Sequence, residues 1–264
     1  MAAASGSRYT RRIALRAGLI AATSVAFGAR TPHACADVAA SLATSAPAVQ
    51  ASEGYDADVG LDPGHSRADV GASGGGVGEF EHTLDVAQRI VPVLEAAGLR
   101  VALTRADHEP LTAMAHPNVT ERTRIEQRAR IAAVGNARIY VSVHFNGGPA
   151  ALRGTETYYN RENAGGEGRR LAEALQRHIV AALASVGHPV IDRGARDDLT
   201  IGKPYGHLFS LRGSMPSALG EALFLSNPTE AALLLREDAR DALARGYAGG
   251  ILEYFADAQS PETP

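Results

Sequence analysis

The stretch Ala57-Asp58-Val59-Gly60-Leu61-Asp62-Pro63-Gly64-His65 reads as a strand over Ala57 to Leu61 that ends in a tight Pro-Gly turn and delivers an imidazole. A helical pattern follows from Thr83 to Ala97, with Thr83, Val86, Ala87, Ile90, Val91 and Leu94 on one face. Arg100 to Thr104 reads as the next strand, and Arg122 to Val134 as a helix in which Thr123 and Glu126 stand at capping-box spacing. Arg138 to Val143 and Gly154 to Tyr159 read as strands, and Arg169 to Val186 as a long amphipathic helix. A strand over Ser217 to Leu223 precedes a last helix, which Asn227 can cap, with Pro228 in its first turn and Glu230 three residues after the cap. Strands separated by helices of this length predict an α/β fold: one domain, a twisted and mainly parallel sheet, and helices on both faces.

The chain of 264 residues and 27.5 kDa suits one large α/β domain or two small ones. No repeat, long linker or charge block divides it, so one domain over residues 55–256 is the simplest account, with loose segments at 37–54 and 257–264. Hydrophobic residues at 45% and charged residues at 21% exclude disordered and collagen-like classes. A single cysteine, Cys35, excludes a disulfide framework and any Cys-rich zinc finger. A formal charge of −3 gives no nucleic-acid footprint. Residues 1–36 carry Arg8, Arg11, Arg12, Arg16 and Arg30 and no acid. Their apolar run, Ala17 to Phe27, is too short to span a bilayer, and Ala34-Cys35-Ala36 has the small-residue pattern of a cleavage site. This predicts a secretory signal removed after Ala36 and leaves an acidic, cysteine-free, exported chain with no span long enough to cross a membrane. Thr10 to Arg16 resembles a twin-arginine export motif with Ala14 where phenylalanine is usual, so that route and general secretion both stand.

In an open α/β sheet, ligands gather outside the carboxyl ends of the strands. The first strand ends at His65, Val141-Ser142-Val143-His144-Phe145-Asn146 brings His144 to the same edge, and Gly220-Glu221-Ala222-Leu223 brings Glu221. One histidine so placed is ordinarily a structural residue. Two at equivalent strand ends point to a metal, since a catalytic zinc takes three protein donors and keeps a fourth position open. Glu79 and Glu81 are the candidates for the third donor, at a helix start where the dipole favours carboxylates in any case. Glu79 is in phase with Thr83, Val86, Ala87 and Ile90, whereas Glu81 points about 160° away at 100° per residue. Periodicity therefore favours Glu79, with Glu81 as the alternative.

At these residues the sequence resembles the zinc-dependent N-acetylmuramoyl-L-alanine amidases of the AmiC type, the amidase 3 family. The resemblance runs from Leu61-Asp62-Pro63-Gly64-His65 through Gly71-Ala72, the Glu79 helix, Gly98 to Arg105 and Arg128 to Ala132. It continues through Ser142 to Asn146, Gly154 to Tyr159, Asp192-Arg193-Gly194, Met215-Pro216-Ser217 and Glu221 to Asn227. Each piece is weakly specific; the ordered set is strong. By position it implies Zn2+ as cofactor, His65, Glu79 and His144 as its ligands, and Glu221 as the catalytic general base. It implies peptidoglycan or muropeptides as substrate, cut between the lactyl group of N-acetylmuramic acid and L-alanine, and a periplasmic or extracellular location, with the need for an activator protein left open. The interval from Glu79 to Gly98 fits the family better than one starting at Glu81. Phe80 stands where lysine is usual, and Ala133 and Arg138 replace Asn and Asp; these departures bear on specificity more than on chemistry. Family members held inactive carry a long inhibitory insertion after the strand ending at Tyr159, where this chain has only a short connection to the next helix.

Other residues carry plainer expectations. His82, His108, His116, His178, His188 and His207 read as surface residues, with His207 able to approach the cleft. Arg105, Arg128 and Arg193 can serve either substrate carboxylates or structural ion pairs. Asp62 fixes the Pro-Gly turn. Gly74-Gly75-Gly76 lacks the context of a phosphate loop and reads as a flexible rim. Two rival functions remain: a metal-free wall-binding module, disfavoured by the complete donor set, and a zinc peptidase, disfavoured because Ala68 and Gly147 stand where an H-x-x-E pair needs glutamate.

Overall fold

The computed structural model describes residues 54–201 and 208–258. The export signal with Cys35, nearly all of segment 37–54, His207 and the end of the chain from 259 lie outside the described residues. In chain order the strands are β1 (Ala57–Pro63), β2 (Ser73–Gly74), β3 (Val77–Gly78), β4 (Val101–Leu103), β5 (Ala137–Asn146), β6 (Thr155–Tyr159), β7 (Asp192–Asp197) and β8 (Ser217–Phe224). The helices are α1 (Glu79–Ala96), α2 (Val119–Ala133), α3 (Glu167–Ser185), α4 (Pro228–Leu234) and α5 (Glu237–Asp257).

Six strands form one sheet in the order β4-β1-β5-β8-β6-β7. Every neighbouring pair is parallel except β6 with β8. β1 is buried along its whole length, as a central parallel strand covered on both faces must be. One face meets α1, α3 and α5. Val86, Ala87, Ile90 and Leu94 of α1 and Leu171, Leu175, Ile179 and Leu183 of α3 repeat at three- and four-residue intervals and join Val59, Leu61, Val141 and Val143 in the main core. Each buried Val, Leu or Ile among them contributes about 1.5–3 kcal/mol by leaving water. The opposite face carries the end of α2, where Val134 packs with Ala57, Ala137, Tyr140 and Met215.

The structure differs from expectation at several places. α2 begins at Val119, capped by the Asn118 side chain, which accepts the Glu121 N–H at 3.1 Å. The capping box at Thr123 and Glu126 does not form: the Thr123 hydroxyl donates to the Val119 carbonyl, and Glu126 accepts N–H groups of Leu111 and Thr112. β7 was not expected as a strand, because Asp-Arg-Gly-Ala-Arg-Asp is a polar edge sequence without apolar alternation. The glycine run is a hairpin rather than a loose rim, with Gly75 and Gly76 at φ +61° and +82° in its two-residue turn. Asp257, expected in the tail, closes α5.

α5 crosses α3 so closely that a Cβ at Gly250 would sit 2.7 Å from the Leu175 Cα and 2.8 Å from its N. Gly to Ala in a helix interior ordinarily gains about 1 kcal/mol. Here overpacking against backbone costs about 1–3 kcal/mol or more, so crowding outweighs propensity. Gly250→Ala is therefore expected to lower the melting temperature, by about 2–4 °C for each kcal/mol of net loss. A rise in melting temperature would show that the helices have room to spare.

Candidate metal centre and active site

The carboxyl edge of β1, the start of α1 and the end of β5 meet at one carboxylate. Glu79 is the first residue of α1, where the helix dipole favours its charge. It is buried, and its Oε1 accepts the Phe145 N–H at 2.9 Å and lies 3.0 Å from His144 Nδ1. Its Oε2 accepts the Ala72 N–H at 2.8 Å and lies 3.3 Å from His65 Nε2. Burial alone would raise the Glu79 pKa, but the two imidazoles hold it well below the usual carboxylate range. Glu81 is exposed, and its carboxylate accepts the Gly78 N–H instead.

His65 sits in the turn after β1 at φ +60°, a left-handed conformation uncommon for histidine. The three carbonyls around it are held by two buried arginines. Arg105 donates to the Pro63 and Gly64 carbonyls, and Arg130 donates to those of Pro63 and His65. The Thr83 hydroxyl adds a 2.7 Å bond to the Gly64 carbonyl. A Cβ at Gly64 would overlap the His144 ring, so only glycine lets the two histidines stand with ring centroids 4.9 Å apart. The His65 Nδ1 pairs with Asp69 at 3.2 Å, which leaves Nε2 to face Glu79. Burial would lower the His65 pKa, but Asp69 and Glu79 raise it to about 10.

Donor atoms from His65, Glu79 and His144 all lie within 4.8 Å of one another, close enough that they could hold a metal ion. Two donors on a tetrahedral zinc stand about 3.4 Å apart. The 3.0 and 3.3 Å imidazole–carboxylate separations, one to each oxygen of Glu79, are of that order. Glu221 is the register partner of His144 across β5 and β8, which puts it beside this cluster. Its Oε2 is buried without a hydrogen-bond partner, and burial and the negative Glu79 push its pKa well above the ordinary range. A cavity of about 350 Å³ opens over His65, His144 and Glu221, walled by Val119 and Thr123 on one side and Phe209 on the other.

The remaining candidates divide. Arg105 is buried and spends its donors on backbone carbonyls and the Thr83 hydroxyl, so it binds neither a carboxylate partner nor an outside ligand. Arg128 is exposed on α2, and Arg193 pairs with Glu156. Asp62 does fix the turn, but through side chains: Arg130, Thr104 and Ser142 all donate to it. His82 was expected at the surface and is 5% exposed, packed edge-on against Phe145, and its pKa is lowered by burial and by Arg240. Of the others, His116 is exposed, His178 pairs with Glu253, and His108 and His188 are half-buried. Sequence reasoning missed Asp69, Glu156 and Arg130 as individual residues and gave Glu126 a capping role instead; the four-residue spacing of Glu126 and Arg130 on α2 was the available signal.

Residues 59–253 match the family model Amidase_3, described as N-acetylmuramoyl-L-alanine amidase. The germination-specific N-acetylmuramoyl-L-alanine amidase of Bacillus subtilis (strain 168) is 30% identical over 204 residues, covering 76% of this chain and 81% of that protein. N-acetylmuramoyl-L-alanine amidase AmiC of Neisseria meningitidis is 30% identical over 231 residues, covering 74% of this chain and 52% of that protein. Among solved structures, the catalytic domain of CwlV, an N-acetylmuramoyl-L-alanine amidase from Bacillus (Paenibacillus) polymyxa var. colistinus, superposes with a TM-score of 0.60 at 30% identity. It covers 74% of this chain and 96% of that one.

The buried Asp62–Arg130 pair, 2.9 Å apart, gives this site a pH-dependent stability. Burial would raise the Asp62 pKa, but Arg130 and the two hydroxyls lower it to about 2. An unfolded aspartate titrates near 3.9, so this stability is present above about pH 4 and is lost as pH falls towards 2. In urea titrations, Arg130→Ala is expected to cost about 3–5 kcal/mol at pH 7 and to shrink the loss between pH 4 and 2, because Asp62 without its cation no longer holds a lowered pKa. An acid limb unchanged in the variant would dissociate Asp62 from this role.

Proposed function

The chain belongs to the Amidase_3 family of N-acetylmuramoyl-L-alanine amidases, and from that membership we propose a zinc-dependent hydrolase in which His65, Glu79 and His144 hold the metal and Glu221 is the general base. The substrate is peptidoglycan, cut at the amide between the lactyl group of N-acetylmuramic acid and L-alanine. The observation that carries this reading is the convergence of two imidazole nitrogens on one carboxylate, with the unpartnered Glu221 oxygen beside them.

Zinc, when bound, supplies a Lewis acid that polarises the scissile carbonyl and makes water acidic enough to attack near neutral pH. The protein does the rest. Asp69 holds the His65 ring through Nδ1, which fixes the nitrogen left for the metal. Glu79 is oriented by the Ala72 and Phe145 N–H groups, so its position does not depend on the ion alone. Glu221 takes a proton from the attacking water as the carbon–oxygen bond forms. It returns that proton to the amide nitrogen as the carbon–nitrogen bond breaks, because an unprotonated amide nitrogen leaves poorly. Peptidoglycan lies outside the cytoplasmic membrane, so this function requires export, which the proposed signal in residues 1–36 supplies. Among the described residues no helix is long and apolar enough to cross a membrane.

Glu221→Gln is expected to keep stoichiometric zinc by elemental analysis while losing about 100-fold to 10,000-fold in turnover, the range of general acid–base catalysis. An active, zinc-loaded Gln variant would remove Glu221 as the base. His65→Ala and His144→Ala are each expected to lose zinc, and full metal content in both would refute the ligand set. Mass analysis of products from purified sacculi should find intact stem peptides beginning at L-alanine; shortened stems would establish a peptidase instead.

A further inference from the structure

Glu221 is one member of a row of polar residues that continues across the sheet. It lies opposite His144 on one side and opposite Glu156 on the other. Glu156 is buried, and it accepts bonds from Asn146 Nδ2 at 2.9 Å, Arg193 Nε at 2.9 Å and Arg196 Nη1 at 2.7 Å. Both arginines come from β7, the edge strand next to β6.

One carboxylate pairs directly with two guanidiniums, and Glu230 adds only a longer-range attraction to Arg193, so the direct contacts leave an excess of positive charge. The other acids of β7 do not offset it. Asp192 accepts from Gln176, and Asp197 pairs with Arg161 and caps the Leu199 N–H. Each guanidinium uses one nitrogen on Glu156 and stays 30% (Arg193) or 38% (Arg196) exposed, so donors remain available. The planes are steadied by aromatic rings: Arg193 lies 5.3 Å from the Phe224 ring centroid and Arg196 5.8 Å from that of Tyr158. Tyr158, the register partner of Arg196, packs with Leu219 and Leu208, which line the cavity over Glu221.

We propose that Arg193 and Arg196 form a subsite for a carboxylate of the peptide on the leaving side of the scissile amide. This rests on the amidase reading of the metal centre. The carboxylate belongs to the peptide because the lactyl carboxyl of the sugar is already consumed in the amide being cut. Neighbouring strands are about 4.8 Å apart, so residues of β7 lie about 10 Å from Glu221. An extended peptide advances about 3.3–3.6 Å per residue. A carboxylate on the second residue beyond the scissile amide therefore comes within reach of a long arginine side chain. Glu156 keeps the two guanidiniums apart and oriented; the excess charge selects the ligand.

The test uses the zinc-loaded protein and two N-acetylmuramoyl-L-alanyl dipeptides that differ only in whether the carboxyl of the second residue is free or amidated. The free acid is expected to have a kcat/KM about 10-fold or more higher, mainly through KM, the scale of one charge-assisted contact. Arg193→Gln and Arg196→Gln, which keep a donor for Glu156, should each narrow that ratio. Equal kcat/KM for the two substrates in the unaltered protein, or a ratio untouched by both substitutions, overturns the subsite and leaves the amidase reading intact. Calorimetric binding of the two L-alanyl dipeptide products separates the other case. If neither substrate is cut yet the free-acid product binds more tightly, the amidase reading fails and the subsite stands.

Discussion

The Glu79 carboxylate is the constraint on which the rest of the structure depends. Its two oxygens receive the Ala72 N–H, the Phe145 N–H and the approach of both imidazoles, so one side chain joins the β1 turn, the approach to the hairpin, α1 and the end of β5. A buried charge of this kind is costly unless its surroundings are built for it. Here the start of a helix, two N–H groups and two imidazoles supply that compensation. Under the proposed zinc reading, donors already converged would need little rearrangement to accept a cation.

The opposite problem arises on the far side of His65. Two buried guanidiniums face the backbone of Pro63, Gly64 and His65, and Asp62 and Glu126 pair with Arg130 while Asp107 adds its charge beside Arg105. Arg105 is partly destabilised as a cation: burial and the neighbouring Arg130 bring its pKa down to about 10, still charged at neutral pH. What this arrangement secures is geometry. Carbonyls bound on every side hold His65 at a positive φ that the turn alone would not enforce, and the open rim of the cleft is left to α2 and to Phe209.

Much of this was legible in the chain. The apolar runs after which His65, His144 and Glu221 appear identify strand ends, and helical phase distinguishes Glu79 from Glu81, because the N-terminal turn of α1 extends the buried stripe that begins at Thr83. What was not legible had local signals that pointed elsewhere. Thr123 and Glu126 have capping-box spacing, yet Asn118 caps the helix one turn earlier and Glu126 faces inward to hold Leu111, Thr112 and Arg130. His82 looks like a surface residue, but α5 covers that side of α1, with Arg240 close enough to help lower its pKa. β7 is polar because it is an edge strand whose arginines face Glu156, and a polar edge has no hydrophobic alternation to read.

The most direct measurement is anomalous diffraction at the zinc absorption edge from crystals of the protein grown with zinc. The account predicts a single strong peak about 2.0–2.2 Å from one donor atom each of His65, Glu79 and His144, with Glu221 outside the coordination sphere and facing the open position. A peak elsewhere, or one to which Glu221 contributes a ligand in place of Glu79, would contradict it.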